Sequence, residues 1–307
     1  MVAQPEAVII GAAIADIPLQ PVDQSVFDAG STPLQDIAMR LGGDAANEAA
    51  TLCRLGHRAA IVTVIGSDGA GDFVLSSLRG AEVDTRWIVR QDGLSTGINV
   101  VLVRPDGERC FITNQNGSLR RLALSDILPA VESPDFARAK IACLASMFVS
   151  PQLTPDDTAA LFDRLRQRVP TLCADTTRPK RGETVSDMAE ALCQLDYFFP
   201  NLSEAQALTG ETAPEAVAKC LLNAGVRHVA VKLGGQGCLI ADGRGLKHVP
   251  AVPDITPVDT TGAGDAFAAG FIAALLEDKP FEACAEYANR VAARCVMKVG
   301  AGIDAVP

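Results

Sequence analysis

The chain has 307 residues, 48% of them hydrophobic, and a formal net charge of -10 at pH 7. This length suits one large α/β domain, or a main domain with a small appendage, and the composition is typical of a globular enzyme. The acidic charge argues against a nucleic-acid partner, because phosphate backbones bind clustered Lys and Arg. The basic pairs at 120–121 and 180–181 are isolated in the sequence.

The cysteine and histidine pattern predicts neither disulfides nor a metal site built on histidine. The nine cysteines are odd in number and form no CxxC pair, and the three histidines are scattered. We therefore expect buried thiols in a reducing cytosol. The N-terminus does not resemble a secretory signal, and the apolar stretch at 141–149 has about half the length that spans a bilayer. We expect a cytoplasmic protein without a membrane partner.

Short β-branched runs alternate with longer helical patterns along the chain, which is typical of parallel βαβ units. The predicted strands lie at 7–11, 59–65, 141–144, 171–174, 197–199 and 228–232. The predicted helices lie at 45–55, 71–79, 158–168, 184–194, 203–208, 215–224, 265–277 and 281–297. These patterns predict an α/β fold over residues 1–307, a single domain with a doubly wound, mostly parallel sheet between helices.

Two segments, 14–41 and 95–118, interrupt this alternation with apolar residues at period two. A PDG turn at Pro105 to Gly107 bends the second segment. Antiparallel strands do not easily join a parallel sheet that is buried on both faces, so we expect a small separate β-sheet, which we call the lid. The alternative is a pair of ordinary hairpins without a function.

The common nucleotide-binding loops are missing from the sequence. The first strand is followed by a single glycine, Gly11, where a dinucleotide fold would have GxGxxG, and no GxxxxGK[ST] is present. These absences argue against hydride chemistry at a dinucleotide site and against a P-loop.

The segment 259–271, DTTGAGDAFAAGF, offers a different way to hold a phosphate. Gly262 and Gly264 allow backbone N–H groups to converge, and the helix that begins there adds the positive end of its dipole. Asp265 has two explanations. It caps the helix, or it is a base that takes the proton of an attacking hydroxyl while the adjacent amides hold the transferring phosphoryl group.

At this point the sequence resembles a known family. The DTTGAGD segment is similar to the second signature of the ribokinase-like (PfkB) carbohydrate kinases, and LGGDAANEAATLCRLG at 41–56 is similar to their first. PNLSEA at 200–205 resembles their NxxE motif, and VKLGGQG at 231–237 resembles their glycine loop on the nucleotide side. The resemblance covers nearly the whole chain and is closest to uncharacterised bacterial sugar kinases.

The resemblance implies a role for each matching residue. Asp265 would be the catalytic base, and Gly262, Ala263 and Gly264 would form the anion hole. Asn201 and Glu204 would organise Mg²⁺ and the phosphates of ATP through water, with Glu204 nearest the metal. The alternative for this Asn and Glu pair is a capping box at the start of a helix.

Further matches concern the nucleotide and a second cation. The resemblance implies that Lys232, Gly234 and Gly237 lie on the ATP side and that Asn289 lines the adenine slot. The alternative for Asn289 is an ordinary exposed residue on a helix. Asp259 and the final VGAGIDAVP resemble the loops that surround a monovalent cation in the family, so K⁺ is a candidate ligand.

The matching residues on the acceptor side are Asp16, Gly43 and Asn47, where the family binds sugar hydroxyls. The chain departs from ribokinase at Ile14, where the ribose-binding pattern has Asn, and the strand that should end in an acidic sugar ligand ends in Ala-Ser-Met at 145–147. These departures count against ribose as the substrate. The other candidate ligands at lid and strand ends are Asn114, Asn116, Asp175 and Arg178, the last suited to a carboxylated sugar.

We therefore expect a kinase that uses ATP and Mg²⁺ to phosphorylate a primary hydroxyl of a sugar or sugar derivative. A nucleoside kinase of the same family is a first alternative, although one Trp and two Tyr offer little stacking surface. A non-catalytic sugar-binding regulator is a second, although it has no need of a base. An apolar lid face formed by Ile98, Val100, Leu102 and Phe111 predicts a homodimer paired through the lid.

Overall fold

The computed structural model describes residues 4–105, 108–298 and 300–304. In chain order its strands are β1 (Ala7–Ile10), β2 (Ile14–Leu19), β3 (Arg40–Gly42), β4 (Ala59–Gly66), β5 (Asp84–Gln91), β6 (Ile98–Val103), β7 (Arg109–Thr113), β8 (Ile141–Met147), β9 (Thr171–Thr176), β10 (Tyr197–Phe198), β11 (His228–Lys232), β12 (Cys238–Asp242) and β13 (Gly245–Val249). They form one large sheet and one small sheet.

The large sheet has the order β13-β12-β11-β10-β9-β8-β1-β4-β5. The strands from β11 to β5 are parallel to one another, and β12 and β13 add an antiparallel edge. Every residue of β1, β4 and β8 is buried. Burial on both faces explains why these strands are continuous apolar runs in the sequence.

Helices cover both faces of the large sheet. They are α1 (Asp44–Arg54), α2 (Gly69–Gly80), α3 (Leu124–Val131), α4 (Pro155–Arg166), α5 (Ala189–Leu192), α6 (Leu202–Thr209), α7 (Pro214–Asn223), α8 (Ala263–Leu276) and α9 (Phe281–Val296). One core cluster contains residues of α1, α2, α8 and α9, and a second contains residues of α3 to α7. This arrangement confirms the predicted doubly wound α/β fold. Within the described ranges no helix has the length and apolar character to cross a bilayer.

The predicted strands are all present, and most predicted helix ends agree to within three residues. The helix expected at 184–194 is reduced to α5, because Thr184 and Asp187 form a hydrogen-bonded turn before it, with Thr184 N donating to Asp187 Oδ2 at 2.8 Å. The strands β5, β12 and β13 and the helix α3 were not predicted. Edge strands such as β13 are half exposed and lack the continuous apolar run that identifies a central strand.

The small sheet is the predicted lid, with the order β3-β2-β6-β7. The pairs β2–β3 and β6–β7 are antiparallel as expected, but β2 and β6 are parallel. The reason is that β2 follows β1 and β6 follows β5, and both of these parallel strands end at the same edge of the large sheet. Between β2 and β3 the chain forms a short 3₁₀ turn at Gln24–Phe27 and loops. Of the predicted PDG turn only Pro105 is described, and 106 and 107 lie outside the described residues.

The base of the lid is tied to helix α2 by one carboxylate. Asp68 accepts hydrogen bonds from Gly71 N (2.8 Å) in the first turn of α2 and from Thr96 N (2.9 Å) and Thr96 Oγ1 (2.6 Å) just before β6. Thr96 is fully buried. These bonds therefore cap the helix and hold the entry to the lid together.

Replacing this carboxylate should destabilise the fold. Asp68→Ala removes the cap and leaves the buried Thr96 hydroxyl with one acceptor fewer, so we expect a loss of about 1–3 kcal/mol in the free energy of unfolding. Urea denaturation measures it. Asp72→Ala in the same helix removes only an exposed ion pair with Arg90 and should cost less than about 1 kcal/mol. Equal losses in the two variants would contradict the assigned role of Asp68.

Candidate active site

Two cavities open at the edge of the large sheet where its parallel strands end. The first, about 880 Å³, lies between the lid and the sheet, and we call it the lid cavity. The second, about 430 Å³, lies between the loop after β13 and helices α8 and α9, and we call it the slot. The residues that line both cavities are Asp44, Thr177, Asn201, Glu204, Thr260, Ala263, Gly264 and Asp265. The cavities therefore meet at the start of α8.

The start of α8 has the geometry of an anion hole. Gly262 precedes the helix with φ = +72°, a left-handed conformation that favours glycine, and a Cβ there would lie 2.6 Å from Ala301 Cβ. No side chain caps the described first turn. Ala263 N donates to Thr260 O at 3.3 Å, so the N–H groups of Gly264 and Asp265 are the ones available at the junction of the two cavities, where the helix dipole favours a negative charge.

Asp265 lies in this first turn and points toward helix α1. Its Oδ2 accepts a hydrogen bond of 2.7 Å from Asn47 Nδ2. The residue at the cap position of the helix is Gly262 and not Asp265. The position of Asp265 therefore favours the base over the capping explanation. Burial raises the pKa of Asp265 well above its usual value, the nearby Asp44 raises it further, and the bond from Asn47 opposes the rise. A carboxylate with a raised pKa is a stronger base.

Several carboxylates crowd around one lysine beside Asp265. Lys232 Nζ donates to Asp175 Oδ1 (2.9 Å) and Oδ2 (2.6 Å). Burial opposes the charge on Lys232, but the carboxylates of Asp175 and Glu204 hold the pKa of Lys232 above its usual value. Lys232 thus lines the slot, as expected. There it is the buried ion-pair partner of Asp175, a residue that was predicted to bind the sugar.

Asn201 and Glu204 form the capping box that was the alternative for these residues. Asn201 Oδ1 accepts from Glu204 N, and Glu204 Oε2 accepts from Asn201 N, both at 2.9 Å. The same side chains line both cavities. Among the described residues no cluster of three metal-ligating side chains is preformed. Because Glu204 lines both cavities, its carboxylate would suit a Mg²⁺ ion held mainly by phosphates and water.

The slot combines glycines with an apolar wall. Gly234 and Gly237 line one side, and Val252, Ile255 and Val296 are among the apolar residues opposite. Asn289 is buried, and its Nδ2 donates to Val249 O (3.2 Å) and Pro250 O (2.9 Å). The alternative of an exposed helix residue is therefore wrong, because Asn289 fixes the loop that forms one wall of the slot. The shape and lining fit a planar base joined to phosphates at the anion hole.

Three of the residues predicted to bind the acceptor line the lid cavity, namely Asp16, Gly43 and Asn47. Asp16 Oδ1 accepts from Asn99 Nδ2 at 3.1 Å, and burial raises the pKa of Asp16 to about 6 although that bond opposes the rise. Gly43 has φ = +92°, and a Cβ there would lie 2.5 Å from Ala12 O. These positions can bind hydroxyl groups of a ligand beneath the lid.

The other four predicted acceptor ligands do not line the lid cavity, and Asp175 lines the slot instead. Asn114 is used inside the lid, where its Oδ1 accepts from Ile98 N (2.9 Å) and its Nδ2 donates to Thr96 O (3.0 Å). Asn116 and Arg178 are exposed, and neither is among the residues that line the lid cavity. The prediction placed them at strand ends but could not determine which way each side chain points.

Sequence reasoning missed several charged residues of the lid cavity. The missed cations are Arg109, Arg120, Lys180 and Arg181, and three of them belong to the basic pairs that are isolated in the sequence. The missed acid is Asp44, which accepts a short hydrogen bond from Ser146 Oγ. Asp44 on α1 thereby supplies a carboxylate at the end of β8, where the sequence shows only Ala-Ser-Met.

The predicted cation ligand Asp259 is bound by protein donors. Its carboxylate accepts from the guanidinium of Arg109, from Thr261 N and Oγ1, and from Gly300 N. Burial opposes ionisation, but these hydrogen bonds and the charge of Arg109 lower the pKa of Asp259 below its usual value. The rest of the predicted cation loop is only partly described, since residues 299 and 305–307 lie outside the described ranges.

The fold and the site define a phosphotransferase with an alcohol group as acceptor, and comparison with known proteins agrees. A profile of the pfkB family of carbohydrate kinases matches residues 4–307. An uncharacterised sugar kinase of Archaeoglobus fulgidus is 32% identical over 251 residues, which cover 81% of this chain and 96% of that protein. The chain therefore belongs to the pfkB family of carbohydrate kinases.

Two further relatives are informative. The 2-dehydro-3-deoxygluconokinase of Bacillus subtilis is 29% identical over 279 residues, covering 87% of this chain and 83% of that protein. The structure of Arabidopsis thaliana ribokinase complexed with ribose and ATP superposes with a TM-score of 0.80 at 27% identity, covering 98% of this chain and 96% of that one. The ribokinase-like fold with its lid is thus shared with these kinases.

One buried acid on α1 lines neither of the two cavities. Glu48 on α1 is fully buried, and neither of its carboxyl oxygens has a hydrogen-bond partner within the described part of the chain. Burial raises the pKa of Glu48 well above its usual value, and the charges of Asp175, Asp265 and Asp44 raise it further. Burial and these charges therefore favour the protonated, neutral form of the Glu48 carboxyl.

This neutral acid should make stability depend on pH. The folded state keeps a proton that the unfolded state loses above the ordinary Glu pKa of 4.5, so the free energy of unfolding falls as pH rises above that value. Glu48→Gln is neutral in both states and should remove up to about 1.4 kcal/mol per pH unit of this slope. Urea titrations at several pH values measure it, with the exposed Glu190→Gln as control. An unchanged slope in Glu48→Gln would show that Glu48 is ionised when folded.

Proposed function

We propose that this protein transfers the γ-phosphoryl group of ATP to a primary hydroxyl of a sugar or sugar derivative, with Asp265 as general base. The observation that carries the proposal is the junction of the two cavities at Asp265, Ala263 and Gly264. A hydroxyl in the lid cavity and a phosphate in the slot would meet there, beside a base and an anion hole.

In this mechanism the sugar oxygen attacks the γ-phosphorus and its proton goes to the Asp265 carboxylate. The bond from the γ-phosphorus to the β–γ bridging oxygen breaks, and ADP leaves. The N–H groups at the start of α8 donate to the phosphoryl oxygens as their charge redistributes. The bond from Asn47 orients the Asp265 carboxylate, and the raised pKa of Asp265 favours its acceptance of the proton.

Glu204 and Asn201 would help to hold Mg²⁺ through water. When bound, this ion would neutralise phosphate charge. Asp44 lines both cavities, and Asp175 lines the slot, where its carboxylate is paired with the ammonium of Lys232. A cation beside the phosphates therefore suits this set of side chains.

The lid cavity favours an acceptor that carries a carboxylate. Arg120, Lys180 and Arg181 line it, although the chain as a whole is acidic. Asp16 and Asn47 lie on the same cavity and suit the hydroxyl groups of the same ligand. A relative named 2-dehydro-3-deoxygluconokinase supports this choice, since its name denotes a sugar acid.

The two other functions predict different results. A nucleoside acceptor would need a stacking surface, and the described aromatic residues that line the lid cavity are Phe111 and Phe148. A non-catalytic regulator would bind sugar and ATP without turnover. The presence of Asp265, the anion hole and the Asn201–Glu204 pair together supports the enzyme over the regulator.

We also propose a cytoplasmic homodimer joined through the lid. All nine cysteines are described and all are free, which suits a reducing compartment. The lid carries five of the described large hydrophobic side chains with high exposure, namely Phe27 (84%), Ile37 (61%), Met39 (42%), Phe111 (54%) and Ile112 (55%). Because side chains alternate along a strand, Phe111 points into the lid cavity and Ile112 points away from it. The exposed apolar side chains at 27, 37, 39 and 112 therefore support pairing with a second copy.

The base assignment has a direct test. Asp265→Asn keeps the shape of the side chain but cannot take the proton, so we expect kcat to fall about 10²- to 10⁴-fold while ATP still binds. Coupled ADP release with Mg-ATP measures it across sugar acids, hexoses, pentoses, alditols and nucleosides, and calorimetry measures ATP binding. Asp72→Asn, an exposed acid on α2, is the matched control. Turnover near wild type in Asp265→Asn would exclude Asp265 as the base.

The lid dimer has a separate test. Ile37→Lys places a charge on the exposed apolar face and should convert a dimer to a monomer in multi-angle light scattering. Val258→Lys changes an apolar residue of similar exposure (60%) outside the lid and should leave the dimer intact. A wild-type monomer would rule out the dimer.

A further inference from the structure

Lid strand β7 points every second residue into the lid cavity. Arg109, Phe111 and Thr113 all line it, as the period of two in a strand requires. Arg109 begins the strand, and its side chain is only 17% exposed. The lid thus places the guanidinium of Arg109 in the lid cavity, between the lid and the large sheet.

This guanidinium binds the loop that leads into the anion hole. Arg109 Nη2 donates a short hydrogen bond to Asp259 Oδ1 and a second bond of 3.2 Å to Thr260 Oγ1. The partners are 150 residues apart in sequence, and Gly262 follows two positions after Thr260. This ion pair joins β7 of the lid directly to the loop of the anion hole.

The Asp259 carboxylate is already neutralised by one of these contacts. Oδ1 accepts from Arg109 Nη2, from Thr261 N at 2.8 Å and from Thr261 Oγ1 at 2.7 Å, and Oδ2 accepts from Gly300 N at 2.7 Å. Each carboxylate oxygen has about two lone-pair sites, so Oδ1 is crowded whereas Oδ2 has room for one more contact. The positive guanidinium against Oδ1 nevertheless opposes the approach of a second cation. The K⁺ expected from the resemblance therefore does not fit beside Arg109 at this carboxylate.

We propose that Arg109 is a positioning residue that supplies the positive charge at Asp259 in place of a monovalent cation and thereby couples the lid to the anion hole. When the lid is in place, the guanidinium holds Asp259 and Thr260, and these two residues fix the backbone that enters Gly262. When the lid lifts, the same contact breaks and the loop loses one of its supports. A planar guanidinium with several directed donors suits this double contact better than a spherical ion.

The catalytic consequence rests on the proposed kinase function, but the structural consequence does not. The test therefore uses the full-length protein and compares Arg109→Met, which keeps the stem and removes the charge, with Arg109→Lys and Asp259→Asn. Arg104→Met is the matched control, because Arg104 lies on the same lid and its ion pair with Glu108 is exposed.

The first readout needs no turnover. Thermal unfolding is followed in KCl and in tetramethylammonium chloride of equal concentration. We expect the unfolding midpoint of wild type and of Arg104→Met to be the same in both salts. Arg109→Met should gain a midpoint that rises with KCl, because its Asp259 carboxylate has lost the guanidinium that neutralised it. A wild-type midpoint that rises with KCl would overturn the proposal, as would an Arg109→Met midpoint that ignores the salt.

The second readout is hydrogen exchange of the lid and the loop. Arg109→Met should increase exchange at 109–113 and at 259–262 together, and the double variant with Asp259→Asn should add little to either single variant. Faster exchange in the lid alone would show that the ion pair does not couple the two segments. Arg109→Lys should lie between Arg109→Met and wild type.

The third readout is kinetic. On an acceptor found in the panel, Arg109→Met should lower kcat about 10- to 100-fold with little change in the KM for ATP, because a misplaced anion hole slows transfer more than binding. Added KCl should restore part of kcat in this variant and change wild type less than about twofold. Wild-type turnover that requires KCl would overturn the proposal. If no acceptor is phosphorylated, the kinase proposal fails, whereas the salt and exchange results still decide the role of Arg109.

Discussion

The ion pair between Lys232 and Asp175 is the interaction on which the rest of the site depends. Strand β10 between β9 and β11 has only two residues, so the sheet edge has a gap where Lys232 and Asp175 meet. Asn201 follows β10, pairs with Lys232 as an isolated bridge and starts α6 with its capping box. Lys232 also lies against Gly264. This one ion pair therefore sets where Glu204, Gly264 and the slot lie around the gap.

Electrostatic balance explains why the site is built from pairs. Asp44, Asp175, Glu204 and Asp265 lie close together, and burial raises the pKa of each of them. Isolated buried carboxylates are costly, so each has a donor: Ser146, Lys232, Asn201 and Asn47 respectively. Acidic side chains thus gather at the junction of the cavities, whereas Arg120, Lys180 and Arg181 line the lid cavity.

Most of the fold could be predicted from the sequence, because its signals are local. The central strands are apolar runs, and the helices carry periodic patterns between clear end signals, so their types and approximate bounds were correct. The segment at 184–194 failed because a short side-chain turn, Thr184 with Asp187, competes with a helix pattern of the same length. The parallel pairing of β2 with β6 also failed, since it depends on the order of strands in the other sheet.

The sequence by itself determined that a glycine-rich turn and an acid stand together at the start of α8, since Gly262, Gly264 and Asp265 are neighbours along the chain and lie within one helix turn. Only the tertiary structure decided which distant groups meet that turn: Asn47 on Asp265, Lys232 on Asp175, and Arg109 on Asp259. The physical reason is the range of the interactions. Helix starts and glycine turns depend on neighbouring residues, whereas ion pairs under a lid depend on strand register and side-chain direction, which are set by packing between elements that are far apart in sequence.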